Sequence, residues 1–358
     1  MPIAEISTRI ARIPLHTPFV TALRTASHVE SVVVTVTDGE GNTGVGEAPQ
    51  VWRVTGESLA GAQACVDGPL RDAILGADPD DLNALLDRVE TAVVGNHGAK
   101  AAVDVALHDL AAQRLGVTLA RYLGGSETTV ATDVTLSAAG TDALVAAATQ
   151  RVTEGFTVLK IKVGADPAGD IARIKAVRTA VGDEIGLRLD ANQGWNAKQA
   201  VHIVGRFEDA GLGIEFVEQP TPAHDLDALA YVTARTLTPI MADESVYGVR
   251  DLVEVIRRRA ADMVNVKLAK CGGIRAARTL FGLARAHDMG TIVGSMMESH
   301  IGVAAAASLV AAFGTTAVSD LDAAWWLTAP PLTYAEGRIV LPSGAGLGVT
   351  VDIESKAG

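Results

Sequence analysis

Aromatic side chains make up only 4% of this 358-residue chain. That removes the stacking platforms on which single-stranded nucleic acid is bound. Cations are outnumbered: 30 Lys and Arg stand against 42 Asp and Glu, a net charge of −12. A phosphate backbone is repelled by that balance, so nucleic acid is excluded as a partner class. Cys65 and Cys271 are the only cysteines. Two thiols make no disulfide framework, and the expected compartment is the reducing cytoplasm. No apolar run approaches the roughly 18 residues a membrane helix needs, so no membrane span is expected. The N-terminal stretch is broken by Glu5, Arg9 and Arg12 and lacks the apolar core of a signal peptide. What the chain has in excess is Ala and Val, scattered rather than clustered, at 48% hydrophobic residues in all. That composition points to a large buried core, and the length to more than one ordinary domain. Two of the four tryptophans, Trp325 and Trp326, are adjacent.

The first 50 or so residues alternate as β-strands do. Ile3 to Pro14, the Val/Thr-rich run Glu30 to Thr37, and Thr43 to Ala48 flank the turn sequence Asp38-Gly39-Glu40-Gly41-Asn42. Residues 56–124 read as helices, with Val103, Leu107 and Leu110 forming one apolar stripe. An α+β unit over residues 1–125 is expected. From there the pattern changes. Strand-like runs recur at ATDVTLS, VLKIKV, IGLRLDA, IEFVEQ, PIMADE, DMVNVKL, GTIVGSM and TAVSDLD, spaced 24–28 residues apart with helical stretches between. Eight even βα repeats predict a (β/α)8-type barrel over residues 126–322 in an α/β chain whose first unit caps it. An open doubly wound sheet is the alternative. The even repeats, and the absence of a GxGxxG after the first strand, favour closure. Residues 323–358, rich in Gly and Pro, are expected to return to the barrel and the cap.

Active groups of a closed barrel sit at the C-terminal ends of its strands. Lys160 and Lys162 lie on the second strand; Asp190, Glu218 and Asp243 end the third, fourth and fifth. Lys267 lies on the sixth, Glu298 follows the seventh, and Asp320 and Asp322 end the eighth. One strand-end carboxylate is as readily a helix cap as a ligand. Three at successive strand ends repel one another unless a cation joins them, and hard oxygen donors suit Mg2+. Lys160 and Lys162, two apart, share a side of their strand. Partial burial and a neighbouring like charge both lower a lysine pKa, as a base at neutral pH requires. The second and sixth strands of an eight-strand ring are opposite each other. Lys162 and Lys267 would then face a substrate carbon from two sides, a design for epimerisation or racemisation. The alternative is that these lysines merely pair with the carboxylates.

The motifs KIK at 160–162, DANQGW at 190–195, EQP at 218–220, DES at 243–245, KLAKCGG at 267–273 and MMES at 296–299 occur in this order. Together they resemble the muconate-lactonizing subgroup of the enolase superfamily, over the whole barrel, and the α+β opening fits that family's capping domain. The resemblance implies Asp190, Glu218 and Asp243 as Mg2+ ligands and Lys162 and Lys267 as the acid/base pair. Lys160 would assist Lys162; apart from the resemblance, Glu298 is read either as a partner of a lysine or the substrate or as support for the seventh strand, and Asn192 as a neighbour of the metal ligands. The resemblance implies proton transfer α to a carboxylate through an enediolate, whose charge a divalent cation stabilises where it develops.

Within that subgroup the eighth strand separates reactions. Asp320 and Asp322 resemble the DxD motif of dipeptide epimerases, where paired carboxylates meet the ammonium of a free dipeptide. An N-acylamino acid racemase, an o-succinylbenzoate synthase or a muconate-type cycloisomerase handles substrates without that ammonium and is the alternative. PFVTALRTA at 18–26 is similar to the closing loop of L-Ala-D/L-Glu epimerases, which assigns Arg24 to an acidic side chain; a bidentate Arg–carboxylate contact suits that task. The adjacent tryptophans depart from the family pattern. They either narrow the ammonium pocket, or offer it a cation–π face, or pack the core. Trp52 raises the same question at the other end. Gly272-Gly273 reads as a tight turn rather than a phosphate site, and nothing marks His300 as a catalyst. A homo-oligomer is expected. A Schiff-base lyase and a non-catalytic binding barrel complete the alternatives.

Overall fold

The computed structural model describes residues 1–20, 25–136, 140–164, 166–328 and 331–349. Three antiparallel strands open the chain: β1 (Ile3–Val20), β2 (Thr25–Asp38) and β3 (Thr43–Pro49), in the order β1-β2-β3. The turn 38–42 closes on Asp38, whose carboxylate accepts the N–H groups of Glu40 and Asn42, each at 2.9 Å. The β1–β2 hairpin runs past the expected end at Pro14. The pairing slips between Pro14 and Phe19, where Leu15 bridges to Leu327 of the C-terminal segment, and resumes with Phe19 opposite Ala26. Proline lacks the N–H that the ladder would need there.

Helices α1 (Leu59–Cys65), α2 (Arg71–Ile74), α3 (Leu82–Ala92), α4 (His97–Arg114) and α5 (Leu119–Tyr122) follow. A π-type turn at Val66–Leu70, carrying Gly68 and Pro69, joins α1 to α2. Helix α4 lies across β3 at backbone distance. A Cβ on Gly44 would stand 2.1 Å from the Ala106 carbonyl oxygen, and one on Gly46 1.9 Å from that of Ala102. The two glycines are therefore the reason the sheet and helix pack so closely.

After β4 (Thr129–Ala131), strands and helices alternate: β5 (Val134–Leu136), α6 (Thr141–Thr153), β6 (Val158–Lys162), α7 (Pro167–Val181), β7 (Gly186–Asp190), α8 (Ala197–Asp209) and β8 (Ile214–Glu218). Then come α9 (Leu226–Thr233), β9 (Ile240–Ala242), α10 (Val249–Arg258), β10 (Met263–Val266), α11 (Leu268–Cys271), α12 (Ile274–Ala286), β11 (Gly290–Val293) and α13 (His300–Phe313). The seven strands β5 to β11 form one parallel curled sheet in sequence order. The eighth run, TAVSDLD, contributes only single bridges, Gly294 to Asp320 on one side and Thr132 to Ser319 on the other. The Asp320 N–H reaches the Val293 carbonyl at 2.9 Å, and the Asp133 N–H reaches that of Ser319 at 3.0 Å. Two residues thus close the ring where a full strand was expected. The C-terminal hairpin β12 (Thr333–Ala335) and β13 (Arg338–Val340) adds to β4 in a separate three-stranded sheet.

Buried carboxylates join the first unit to the rest. Glu47, on β3, accepts the N–H groups of Ser299 (2.7 Å) and Gly302 (3.0 Å) at the start of α13. Asp104, on α4, accepts that of Ile274 (2.6 Å) at the start of α12. Asp109, also on α4, accepts those of Val45 and Leu347, each at 2.7 Å. Each places negative charge on orphan backbone donors, two of them at helix N-termini. Gly273 (φ 116°) admits Asp104: a Cβ there would fall 2.3 Å from its carboxyl carbon. This is the tight turn expected of Gly272-Gly273, and Asp104 occupies the amides that a phosphate would use.

Gly46→Ala should cost about 3 kcal/mol or more, since backbone rather than a movable side chain blocks the new methyl. Gly205→Ala in α8, where nothing lies within 4 Å, should instead gain about 0.5–1 kcal/mol. Chemical denaturation curves of both variants, read as midpoint shifts at constant slope, check this pair.

Candidate active site

Strand β6 delivers Lys160 and Lys162 from one face, and both reach the neighbouring strand. Lys162 stands opposite Asp190 in the register and donates to its Oδ2 at 2.6 Å. Lys160 Nζ bridges three carboxylates: Asp190 Oδ2 at 3.1 Å, Glu218 Oε2 at 2.5 Å and Asp320 Oδ2 at 2.8 Å. Asp190 and Glu218 end β7 and β8 as neighbours in the register. Asp243 lies one residue past β9. Its N–H is held at 2.9 Å by the side-chain oxygen of Gln219, a residue at φ 35°. Lys267, also one residue past its strand, donates to Asp243 Oδ2 at 2.8 Å. Every one of these side chains is buried.

The charges settle each other. Burial pushes the Asp190 carboxyl up, but Lys162 and Lys160 outweigh it and hold the group well below the usual carboxylate range. Asp243 is held low in the same way by Lys267 and Lys270. Glu218, with more desolvation than cation, rises to about 7 through burial and the neighbouring Asp190. The expectation of a lowered lysine pKa, made for the pair on β6, is corrected at Lys160. Burial by itself depresses Lys160 and Lys267, but the surrounding carboxylates raise both above the ordinary lysine value.

The donor set fits a hard divalent cation. Glu244 Oε2 and Asn192 Oδ1 are buried without a hydrogen-bond donor, beside Glu218 Oε2, which only the Lys160 ammonium meets. Such orphaned oxygens, facing a carboxylate group pushed up by mutual repulsion, suit oxygen-seeking Mg2+. As they stand, no three His, Cys, Asp or Glu side chains among the described residues form a ready coordination group. Lysine ammonium groups take the carboxylate oxygens instead.

One cleft collects most of the expected residues. Lys160, Lys162, Lys267, Asp243, Asp320 and Asp322 all line it. Phe19, Val51, Arg53 and Val54 of the first unit cover it. Asp322 Oδ2 accepts the Thr135 N–H at 2.7 Å and the Trp326 indole N–H at 3.0 Å. Its carboxyl rises to about 6, through burial first and Asp320 second. Asn192 lines the cleft; its N–H donates to Asp190 Oδ1 at 2.9 Å and its amide to Glu244 Oε1 at 3.3 Å. Glu298 stands back from the cleft, where its carboxylate accepts the Met296 N–H at 2.9 Å. Burial and the nearby Glu47 push it up to about 7. His300 is buried at the head of α13. Arg24 lies outside the described residues.

Neither adjacent tryptophan lines the cleft. The Trp325 ring carries the Arg151 guanidinium at 4.5 Å, and Trp326 packs on His16 and Phe19. Of the three roles considered, core packing is the one the rings take. Trp52 is 63% exposed and lines a neighbouring depression that shares Met297 with the cleft.

Sequence reasoning missed three participants. Lys270 donates to Asp243 Oδ1 at 2.6 Å, Asn265 to Glu218 Oε1 at 2.8 Å, and Glu244 receives Asn192. The signal for Asn265 was its position two before Lys267, on one face of a strand that is otherwise apolar. Lys270 follows Lys267 by one helical turn.

Residues 3–124 match the mandelate racemase/muconate lactonizing enzyme N-terminal domain family, and residues 143–356 the enolase C-terminal domain-like family. The chain is 43% identical over 354 residues to the L-Ala-D/L-Glu epimerase of Bacillus subtilis (strain 168), covering 98% of this chain and 97% of that protein. A substrate-liganded complex of the Bacillus subtilis epimerase superposes with a TM-score of 0.94, covering 97% of this chain and 98% of that one. The dipeptide epimerase of Enterococcus faecalis V583, complexed with Mg and L-Leu-L-Tyr, superposes at 0.92 with 37% identity, covering 98% of this chain and all of that one. The chain is an isomerase of the mandelate racemase/muconate lactonizing enzyme family of the enolase superfamily, and within that family it resembles the dipeptide epimerases.

Proposed function

We propose that this chain is a Mg2+-dependent dipeptide epimerase, acting on the α-carbon of the second residue of a free dipeptide such as L-Ala-L-Glu. The carrying observation is that Lys162 from β6 and Lys267 beyond β10 enter one cleft that Asp320 and Asp322 also line. The names of the similar epimerases support the same substrate class.

In this reading Asp190, Glu218 and Asp243 hold Mg2+, which when bound supplies positive charge where the substrate carboxylate gains electron density. Lys162 and Lys267 share the α-proton exchange. The one in its amine form takes the proton as the Cα–H bond breaks; the ammonium of the other returns a proton to the opposite face, inverting the centre. Lys160 neutralises Asp190, Glu218 and Asp320 and so fixes the wall beside Lys162. Asp320 and Asp322 receive the N-terminal ammonium, which orients the dipeptide so that only its second α-carbon lies between the lysines. Arg24 pairs with an acidic second side chain, and Asn192 braces Asp190. Glu298 supports from behind, through the loop that carries Met296. The reading divides the chain into a cap (1–125), a barrel (126–322) and a returning segment (323–358). It places the enzyme in the cytoplasm as a homo-oligomer. No helix among the described residues is long and apolar enough to cross a membrane.

L,L-dipeptides incubated with the protein and Mg2+ in D2O should gain one deuterium at the second α-carbon, read by mass, with Ala-Glu among the best. Lys162→Ala and Lys267→Ala should each lower epimerisation about 10²–10⁴-fold. No deuterium in any dipeptide, with exchange in N-succinyl amino acids, would move the assignment to an N-acylamino acid racemase.

Metal binding is checked without turnover. Mg2+ added to EDTA-treated protein should raise the Tm with the logarithm of its concentration above Kd, by about 2.7 kcal/mol of stabilisation at a hundredfold excess. Asp190→Asn should abolish the shift.

A further inference from the structure

We infer that Trp326 is a positioning residue that aims the Asp322 carboxylate at the substrate amino group, an inference that rests on the reading of Asp322 as an ammonium acceptor. The single 3-10 turn Ala323–Trp326 brings residue 326 back over residue 322, and the indole N–H donates to Asp322 Oδ2 at 3.0 Å. The Thr135 N–H donates to the same oxygen at 2.7 Å. Both fixed donors therefore hold one oxygen. No described residue donates to Oδ1, while Asp322 lines the cleft. The carboxylate is thus locked about its last torsion, which in a free aspartate is broad and roughly two-fold.

The indole cannot turn away. Trp326 is 7% exposed, stacks on His16 at 5.4 Å between centroids, and meets Phe19 and Trp325 edge-on at 5.5 and 5.0 Å. Phe19 itself covers the cleft. The same ring therefore sets the carboxylate below it and seats the end of β1 above it. The two aspartates of the DxD pair are unequal in consequence. Asp320 Oδ2 is held by the mobile Lys160 ammonium at 2.8 Å, whereas Asp322 Oδ2 is held by two fixed N–H donors, which leaves its Oδ1 as the rigidly placed acceptor for the ligand.

Trp326→Phe keeps the ring contacts and removes the N–H. It should lower kcat/KM for the best free dipeptide about tenfold, through KM rather than kcat, because a lost hydrogen bond to a charged group is of that size. Asp322→Asn should be at least as damaging, and the double variant should be no worse than Asp322→Asn alone. If Asp322→Asn is crippled while Trp326→Phe stays within twofold of the parent, the inference falls and the ammonium reading stands. If Asp322→Asn is itself unaffected, the ammonium reading falls and takes the inference with it. Additive losses, or a loss confined to kcat, would make the ring a packing element only and overturn the inference. A measurement on the unaltered ring covers a Phe variant that fails to fold. Of the four tryptophan indole 15N–1H signals, one should move on Asp322→Asn and on dipeptide binding. Four unmoved signals would overturn the proposal.

Discussion

Mutual neutralisation of charge inside the barrel mouth is the constraint on which the rest depends. Asp190, Glu218, Asp243 and Asp320 lie at or below 5% exposure. An isolated carboxylate at such a depth would stay protonated or unfold its surroundings. Here Lys160, Lys162, Lys267 and Lys270 enter the same volume, each within 3.1 Å of at least one carboxylate oxygen. Three successive strands can end in carboxylates because lysines from β6 on one side, and from beyond β10 on the other, reach across to them. The balance is local: Lys160 serves three acids at once, whereas Asp243 has two lysines to itself. That unevenness is why Glu218 is pushed up while Asp243 is held down.

The barrel was legible because its repeat is a matter of length and alternation. All eight strand-like runs fall where strands or strand bridges stand, and the charged residues fall at their ends. The eighth differs: TAVSDLD has the composition of a strand, yet Ser319 and Asp320 alone pair. Nothing local in that run announces its shortness, since the chain must turn at once into Ala323–Trp326. The extension of β1 past Pro14 was hidden for a related reason. The partner of Leu15 there, Leu327, is more than 300 residues away, and no periodic pattern reports a pairing so distant.

The candidate site was legible by position but not by bonding. Lys160, Lys162, Asp190, Glu218, Asp243, Lys267 and Asp320 meet because strand ends converge in a closed ring. Asn265 and Lys270 escaped notice because an Asn on an apolar strand and a Lys on a short helix are ordinary in sequence. Only their contacts distinguish them. The tryptophan pair was visible as an anomaly. Its use required coordinates, since the indole N–H and the ring faces serve different partners.

The joint between cap and barrel is keyed on one side only. Glu47, Asp104 and Asp109 are specific side chains of the cap, but what they grip across the joint is mostly backbone: the amides of Ser299, Gly302, Ile274 and Leu347. An amide is present whatever residue bears it, proline excepted. The far face of the joint is thus blind to most side chains that carry those amides, the glycines at 273 and 346 that admit Asp104 and Asp109 excepted, while the cap is bound to three carboxylates. Loops at the barrel mouth can therefore change residue by residue, and with them the substrate, without loosening the lid that encloses it.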